Sequence, residues 1–83
     1  MKAYQLHRYI SVFEKNGDAH IRDIEFAVEP NLEFLQALFK QPRDNPMYDV
    51  GVIDVNIAEE LAPYISERLE LESFDYFLEC DSV

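Results

Sequence analysis

The chain has 83 residues, which predicts one domain over 1–83, because chains usually allot roughly 100–200 residues to each domain. Its hydrophobic content of 48% is typical of a globular protein and argues against disorder, and no apolar run reaches the roughly 20 residues of a membrane span. Seventeen acidic against seven basic residues give a formal net charge of −10, which disfavours nucleic acids and anionic membranes as ligands.

The first segment predicts a β-hairpin. Residues 3–13 mix Tyr, Leu, Ile, Val and Phe with single polar residues, which is typical of a strand. The dipeptide Asn16-Gly17 favours a tight turn, and residues 19–28 then return antiparallel. A two-residue loop in this register would bury one set of side chains, namely Tyr9, Phe13, Ile24 and Phe26. Apolar residues also face the other way, so either both faces are partly covered or a β-bulge shifts the register.

Two short helices are predicted after the hairpin. Asn31 is a plausible N-cap for the first, whose apolar stripe has helical spacing and which stops before Pro42. Asn56 and Glu59 resemble a capping box at the start of the second, and Pro63 should kink or end that helix.

Two further strands complete the pattern. Residues 47–53 predict a third strand, and residues 74–80 a fourth, with Asp75, Phe77 and Glu79 on the face opposite Tyr76 and Leu78. The order ββαβαβ predicts an α+β fold with a small four-stranded sheet, antiparallel or mixed, and helices packed on one face.

The sequence lacks the usual patterns of catalytic and metal sites. His7 and His20 fall on predicted strands without a nearby nucleophile, so we interpret both as structural. Two glycines form no phosphate-binding loop, and no spacing of His and Cys indicates a zinc site. We expect neither an enzyme nor a cofactor-binding protein. Cys80 has no partner for an internal disulfide and lies in an apolar strand, which favours an inert thiol.

The acidic residues are unevenly distributed. Residues 1–43 carry six acids and six bases, whereas residues 44–83 carry eleven acids and one base, Arg68. Several of these acids lie beside aromatic residues on predicted strands, as in residues 75–79. A solvated face is the simplest interpretation, but aromatic rings next to carboxylates also suit an interface with a basic protein.

Three stretches of the second half resemble a known family. They are residues 44–50 (DNPMYDV), residues 61–65 (LAPYI) and residues 74–79 (FDYFLE), which are similar to short acidic bacterial proteins and to the cloacin and ribonuclease-colicin immunity proteins. The resemblance covers residues 38–83. The chain departs from the family in lacking Trp and in having Met47 where the colicin inhibitors place a strand cysteine.

The resemblance implies a cytoplasmic inhibitor of a secreted ribonuclease toxin, of a bacteriocin or contact-dependent type. A ribonuclease has a basic active surface, so an acidic protein can approach it quickly and occlude it. No direct nucleic-acid or membrane contact is expected, and the chain would be a monomer or weak homodimer. The predicted partner-binding residues are Asp44, Met47, Tyr48, Asp49, Asp54, Asp75, Phe77 and Glu79.

Two other functions stay open. One is a structural or regulatory module that self-associates through an exposed sheet edge. The other is a DNA mimic that occupies a DNA-binding protein. The exposed edges of a small sheet favour the first and the negative charge favours the second, and the identity of the partner would separate them.

Overall fold

A computed structural model describes residues 6–82 and gives an α+β fold with the element order ββαβαβ and an additional 3-10 turn after the second helix. The strands are β1 (Leu6–Glu14), β2 (His20–Glu25), β3 (Gly51–Val52) and β4 (Phe74–Ser82). The helices are α1 (Leu32–Leu38) and α2 (Val55–Leu61), and a 3-10 turn at Ala62–Tyr64 follows α2. The α+β class is confirmed. The predicted strand residues 3–5 lie outside the described part of the chain.

The four strands form one fully antiparallel sheet in the order β2-β1-β4-β3. The two nine-residue strands, β1 and β4, lie side by side at the centre, where residues 6–14 pair with residues 82–74. The chain therefore brings its first and last strands together, while the short β2 and β3 form the edges.

A β-bulge corrects the predicted hairpin register. Phe13 faces His20 as expected, but the pairing shifts between Val12 and Phe13, so that Ile10 faces Ile24 and Tyr9 faces Glu25. A shift by one residue turns the rest of a strand over. The prediction that Tyr9 and Phe13 share a buried face with Ile24 is therefore wrong, and the alternative of a bulge is confirmed.

Both helices begin at a side-chain cap. Asn31 accepts a hydrogen bond from the Phe34 backbone N–H at 2.8 Å, which confirms the predicted cap of α1. Asp54 caps α2 by accepting from the Ile57 N–H at 2.9 Å, so the prediction of Asn56 as the cap is wrong. Asp54 lies in extended backbone before the first turn, whereas Asn56 is already helical. The helix ends at Leu61, and Pro63 lies in the 3-10 turn, as expected.

The third strand is shorter than predicted. Only Gly51 and Val52 pair with β4, and the preceding Met47 has a left-handed backbone with φ 57°. Gly51 lies against the ring of Phe39, where an added Cβ would come within 2.7 Å of a ring carbon. A side chain at position 51 would therefore prevent this close approach between β3 and the end of α1.

The core lies between the helices and one face of the sheet. Ile10 and Val12 from β1 and Tyr76 and Leu78 from β4 are buried there. Leu35 of α1 and Leu61 of α2 are fully buried in the same cluster. The two helices thus cover one face of the sheet. No helix within residues 6–82 is long and apolar enough to cross a membrane.

Candidate protein-binding surface

No helix of residues 6–82 covers the other face of the sheet, and we call it the open face. Because side chains alternate along a strand, the residues that alternate with the buried ones share this face. Its members come from all four strands and are His7, Tyr9, Ser11 and Phe13 of β1, His20, Asp23 and Glu25 of β2, Val52 of β3, and Asp75, Phe77, Glu79 and Asp81 of β4. Within residues 6–82, they include five carboxylates and no Lys or Arg.

Hydroxyl groups of β1 hold two carboxylates of β4 in place. The Tyr9 hydroxyl donates to Asp81 Oδ2 at 2.9 Å, and the Ser11 hydroxyl donates to Glu79 Oε2 at 2.8 Å. The hydrogen bond to Asp81, followed by burial and nearby charges, raises the pKa of Tyr9 to about 12. The phenol is therefore protonated at neutral pH, where it orients the Asp81 carboxylate.

Two histidines pair with acids along β2. His7 Nε2 lies 2.6 Å from Glu25 Oε1, and His20 Nε2 lies 2.7 Å from Asp23 Oδ1. The hydrogen bond to Glu25 raises the pKa of His7 above its ordinary value, and the charges of Glu25 and Asp81 act in the same direction. Protonation of His7 would make this corner less negative, so the charge of the open face depends on pH.

An apolar strip crosses the opposite end of the face. The rings of Phe13 and Phe77 meet edge to face, with centroids 5.4 Å apart. Val52 pairs with Phe77 and is 67% exposed. The open face therefore combines exposed apolar area with carboxylates, which is the composition expected where a protein partner must be both steered and packed against.

Asp75 connects this end of the open face to the hairpin turn through a hydrogen bond and a salt bridge. Its carboxylate accepts from the Asn16 N–H at 3.0 Å and lies 3.2 Å from Lys15 Nζ. The hydrogen bond from Asn16, followed by that from Lys15, lowers the pKa of Asp75. Of the five carboxylates on the open face, Asp75 is the one with a lysine partner, so its charge is the most compensated.

The structure separates the predicted partner-binding residues into two groups. Asp75, Phe77 and Glu79 lie together on the open face. The other five lie outside it, in the stretch between α1 and the start of α2; they are Asp44, Met47, Tyr48, Asp49 and Asp54.

Within the second group, Tyr48 is 57% exposed and Asp49 and Asp44 are exposed, so these side chains are accessible to a partner. Asp54 is exposed but is occupied as the cap of α2. Met47 is only 6% exposed and belongs to the hydrophobic core. Its side chain offers almost no contact area, and its assignment to a partner-binding strand does not fit its position.

The sequence prediction missed the β1 and β2 contribution to this surface. Tyr9 and Phe13 were predicted to be in the core, His7 and His20 were interpreted as structural, and Ser11, Asp23 and Glu25 were not selected. In β4, Asp81 was not selected either. The signal that could have found them is the alternation of Tyr9 and Ser11 with Ile10 and Val12, once the bulge is placed between Val12 and Phe13.

Cys80 is free and half-buried, on the same side of β4 as Leu78 and opposite Arg8. Among residues 6–82, no group of three or more His, Cys, Asp or Glu side chains is arranged to hold a metal ion. The groups that the open face offers to a partner are carboxylates, hydroxyl groups and aromatic rings.

Comparison with known proteins gives a family but no activity. No curated protein and no solved structure matches the chain. A family model described as a domain of unknown function (DUF7683) matches residues 7–79, and the chain belongs to that family.

Proposed function

We propose that this chain is an immunity protein, which binds a basic secreted nuclease toxin, most simply a ribonuclease, and neutralises it without chemistry of its own. The observation that carries the proposal is the open face, where carboxylates held by Tyr9 and Ser11 lie beside Phe13 and Phe77. The proposed site of action is the bacterial cytoplasm, where a toxin's own producer must be protected.

The charge distribution supports a protein partner of opposite sign. Four of the five carboxylates on the open face have no lysine or arginine partner among the described residues; they are Asp23, Glu25, Glu79 and Asp81. A nuclease binds an anionic polymer and so presents a basic surface. Complementary charge speeds the encounter and aligns the two proteins, while the aromatic strip supplies apolar contact.

The position of the acids supports binding through a preformed surface. Glu79 and Asp81 lie on a nine-residue central strand, and their side chains already accept hydrogen bonds from the neighbouring strand. Little conformational freedom is left to lose when a partner binds. An inhibitor must hold a toxin that turns over many substrates, so we expect nanomolar affinity or tighter, about −12 kcal/mol.

Capture and inhibition together test the proposal. The tagged chain is used as bait in a lysate of its native host at low and at moderate salt, and bound proteins are identified by mass spectrometry. The expected result is a basic nuclease domain whose cleavage of RNA or DNA stops when one equivalent of the chain is added. Capture of a nuclease that stays active, or of a DNA-binding protein instead, would contradict the proposal.

Salt dependence gives a second test with the purified partner. The association rate should fall as salt rises from about 20 to about 500 mM, because screening weakens steering between exposed charges. A rate that does not change over this range would show that the acidic face is not what guides the encounter.

A further inference from the structure

A concave surface lies on the helical side of the sheet. It is a groove of about 870 Å³ between α2 and residues 65–73, the segment that leads into β4. Val55 and Ala58 line it from α2, and Leu69 and Leu71 line it from the opposite wall. Val55 is 59% exposed, so apolar area in this groove remains in contact with solvent. We refer to it as the α2 groove.

The far wall of the α2 groove is anchored at three points. The guanidinium of Arg22 donates two hydrogen bonds to the carboxylate of Glu67. The Glu70 backbone N–H donates to the hydroxyl of the buried Tyr76 at 2.9 Å, and Lys15 Nζ donates to the Leu71 carbonyl at 2.9 Å. The groove therefore exists before any ligand binds, which lowers the entropic cost of occupying it.

The rim of the α2 groove carries uncompensated negative charge. Glu59, Glu70 and Glu72 line it, are exposed, and form no salt bridge or side-chain hydrogen bond within residues 6–82. Glu67 is neutralised by Arg22, and Arg68 supplies the one cation among the lining residues. Three free carboxylates around an apolar floor attract a ligand that is itself both cationic and apolar.

We propose that the α2 groove docks a basic, amphipathic peptide segment of a partner protein. Apolar side chains of the segment pack on Val55, Leu69 and Leu71, and its Lys or Arg side chains reach Glu59, Glu70 and Glu72. The groove, at about 870 Å³, is large enough for several side chains, which suits a segment of chain. This site is separate from the open face and does not depend on the nuclease partner proposed above.

The test uses the full chain, labelled with ¹⁵N, and two synthetic peptides of equal length. One alternates lysine with leucine, and the other alternates lysine with serine, so that both have the same charge. We expect saturable shifts of the backbone amides of Val55, Ala58, Leu69 and Leu71 with the lysine–leucine peptide. We also expect the lysine–serine peptide to bind about tenfold more weakly, because it lacks the apolar contacts.

Matched variants distinguish peptide binding in the α2 groove from a general effect of the protein's net charge. The double variant E70Q/E72Q should bind the lysine–leucine peptide about three- to tenfold more weakly. The control E29Q/E60Q removes the same charge at exposed positions outside the groove and should bind like the parent. Equal weakening in both variants, equal binding of both peptides, or shifts confined to the open face would each overturn the proposal.

Discussion

The two faces of the central strands differ in burial, charge and polarity, although both are built from residues that alternate along the same two strands, β1 and β4. On one face Ile10, Val12 and Leu78 are buried almost completely under the helices. On the other, Tyr9, Ser11 and Glu79 alternate with them and lie on the open face. Because side chains alternate along a strand, one set of positions is buried and stabilises the fold, and the other set can contact a partner.

The comparison also explains how a small acidic chain can fold. The five carboxylates of the open face are separated from the core by the sheet itself, so they remain in contact with water. Where a charge is buried on the covered face, as at Arg8, it is satisfied by backbone carbonyls: the guanidinium donates to Met47 O at 2.9 Å and to Pro46 O at 3.0 Å. Buried charges are stable only when paired in this way.

The largest effect should come from a cavity on the covered face. Leu78→Ala removes a fully enclosed side chain and should lower the free energy of unfolding by about 2–5 kcal/mol. Urea denaturation followed by circular dichroism measures it. The neighbouring Glu79→Gln is the matched control on the open face and should change stability by less than about 1 kcal/mol. Similar losses in the two variants would contradict the division into two faces.

A smaller loss is expected at Arg8. Arg8→Met keeps the apolar stem but leaves the carbonyls of Pro46 and Met47 without their donors, which should cost about 1–3 kcal/mol. The exposed Arg43, which pairs with Glu33, serves as the control, and Arg43→Met should change stability by less than about 0.5 kcal/mol. Chemical denaturation of both variants decides whether Arg8 does fix the segment before β3.

The effect of Asp75 should depend on pH. Its folded-state pKa lies below the ordinary value of 3.8, so the charged form is favoured by folding. The resulting stabilisation is complete above that ordinary value and is lost as the pH falls through the lowered folded-state pKa. Asp75→Asn should therefore have a lower Tm than the parent at neutral pH, and the difference should vanish in strong acid. Thermal melts across this range measure it, and a pH-independent difference would contradict the assignment.

The smallest expected effect is a shift in the ionisation of a single group, the hydroxyl of Tyr9. Tyr9 should ionise near pH 12, later than an ordinary tyrosine, because its hydroxyl donates to Asp81. Ultraviolet titration of the parent should show this late step, and Tyr9→Phe should lose it. Asp81→Asn should move the step to lower pH, since removing the carboxylate charge removes the main cause of the shift. A late step that survives in Tyr9→Phe would belong to another tyrosine.

Local chemistry made much of the fold predictable. The cap at Asn31 and the end of α2 near Pro63 both follow from the preferences of single residues. The alternation of β4 also separated Asp75, Phe77 and Glu79 from the buried Tyr76 and Leu78. These features depend on residues close together in the chain, which is why sequence patterns reveal them.

The remaining features depend on contacts between distant segments. The bulge at Phe13 is set by the need to bury Ile10, Val12 and Ile24 together. Met47 lies in the core, where Arg8, 39 residues earlier, donates a hydrogen bond to its carbonyl. Most of the open face was missed for the same reason, since Tyr9 and Asp81 become neighbours only when the first and last strands pair.

The most direct measurement of the central claim is the affinity of charge-reversed variants for the captured nuclease. Glu25→Lys with Asp81→Lys reverses two exposed carboxylates of the open face, and Glu33→Lys with Glu60→Lys makes the same net change on the helices, outside the α2 groove. Isothermal titration should show a loss of about a hundredfold or more in the first variant and near-parental binding in the second. Equal loss in both, or loss in the helix variant alone, would contradict recognition through the open face.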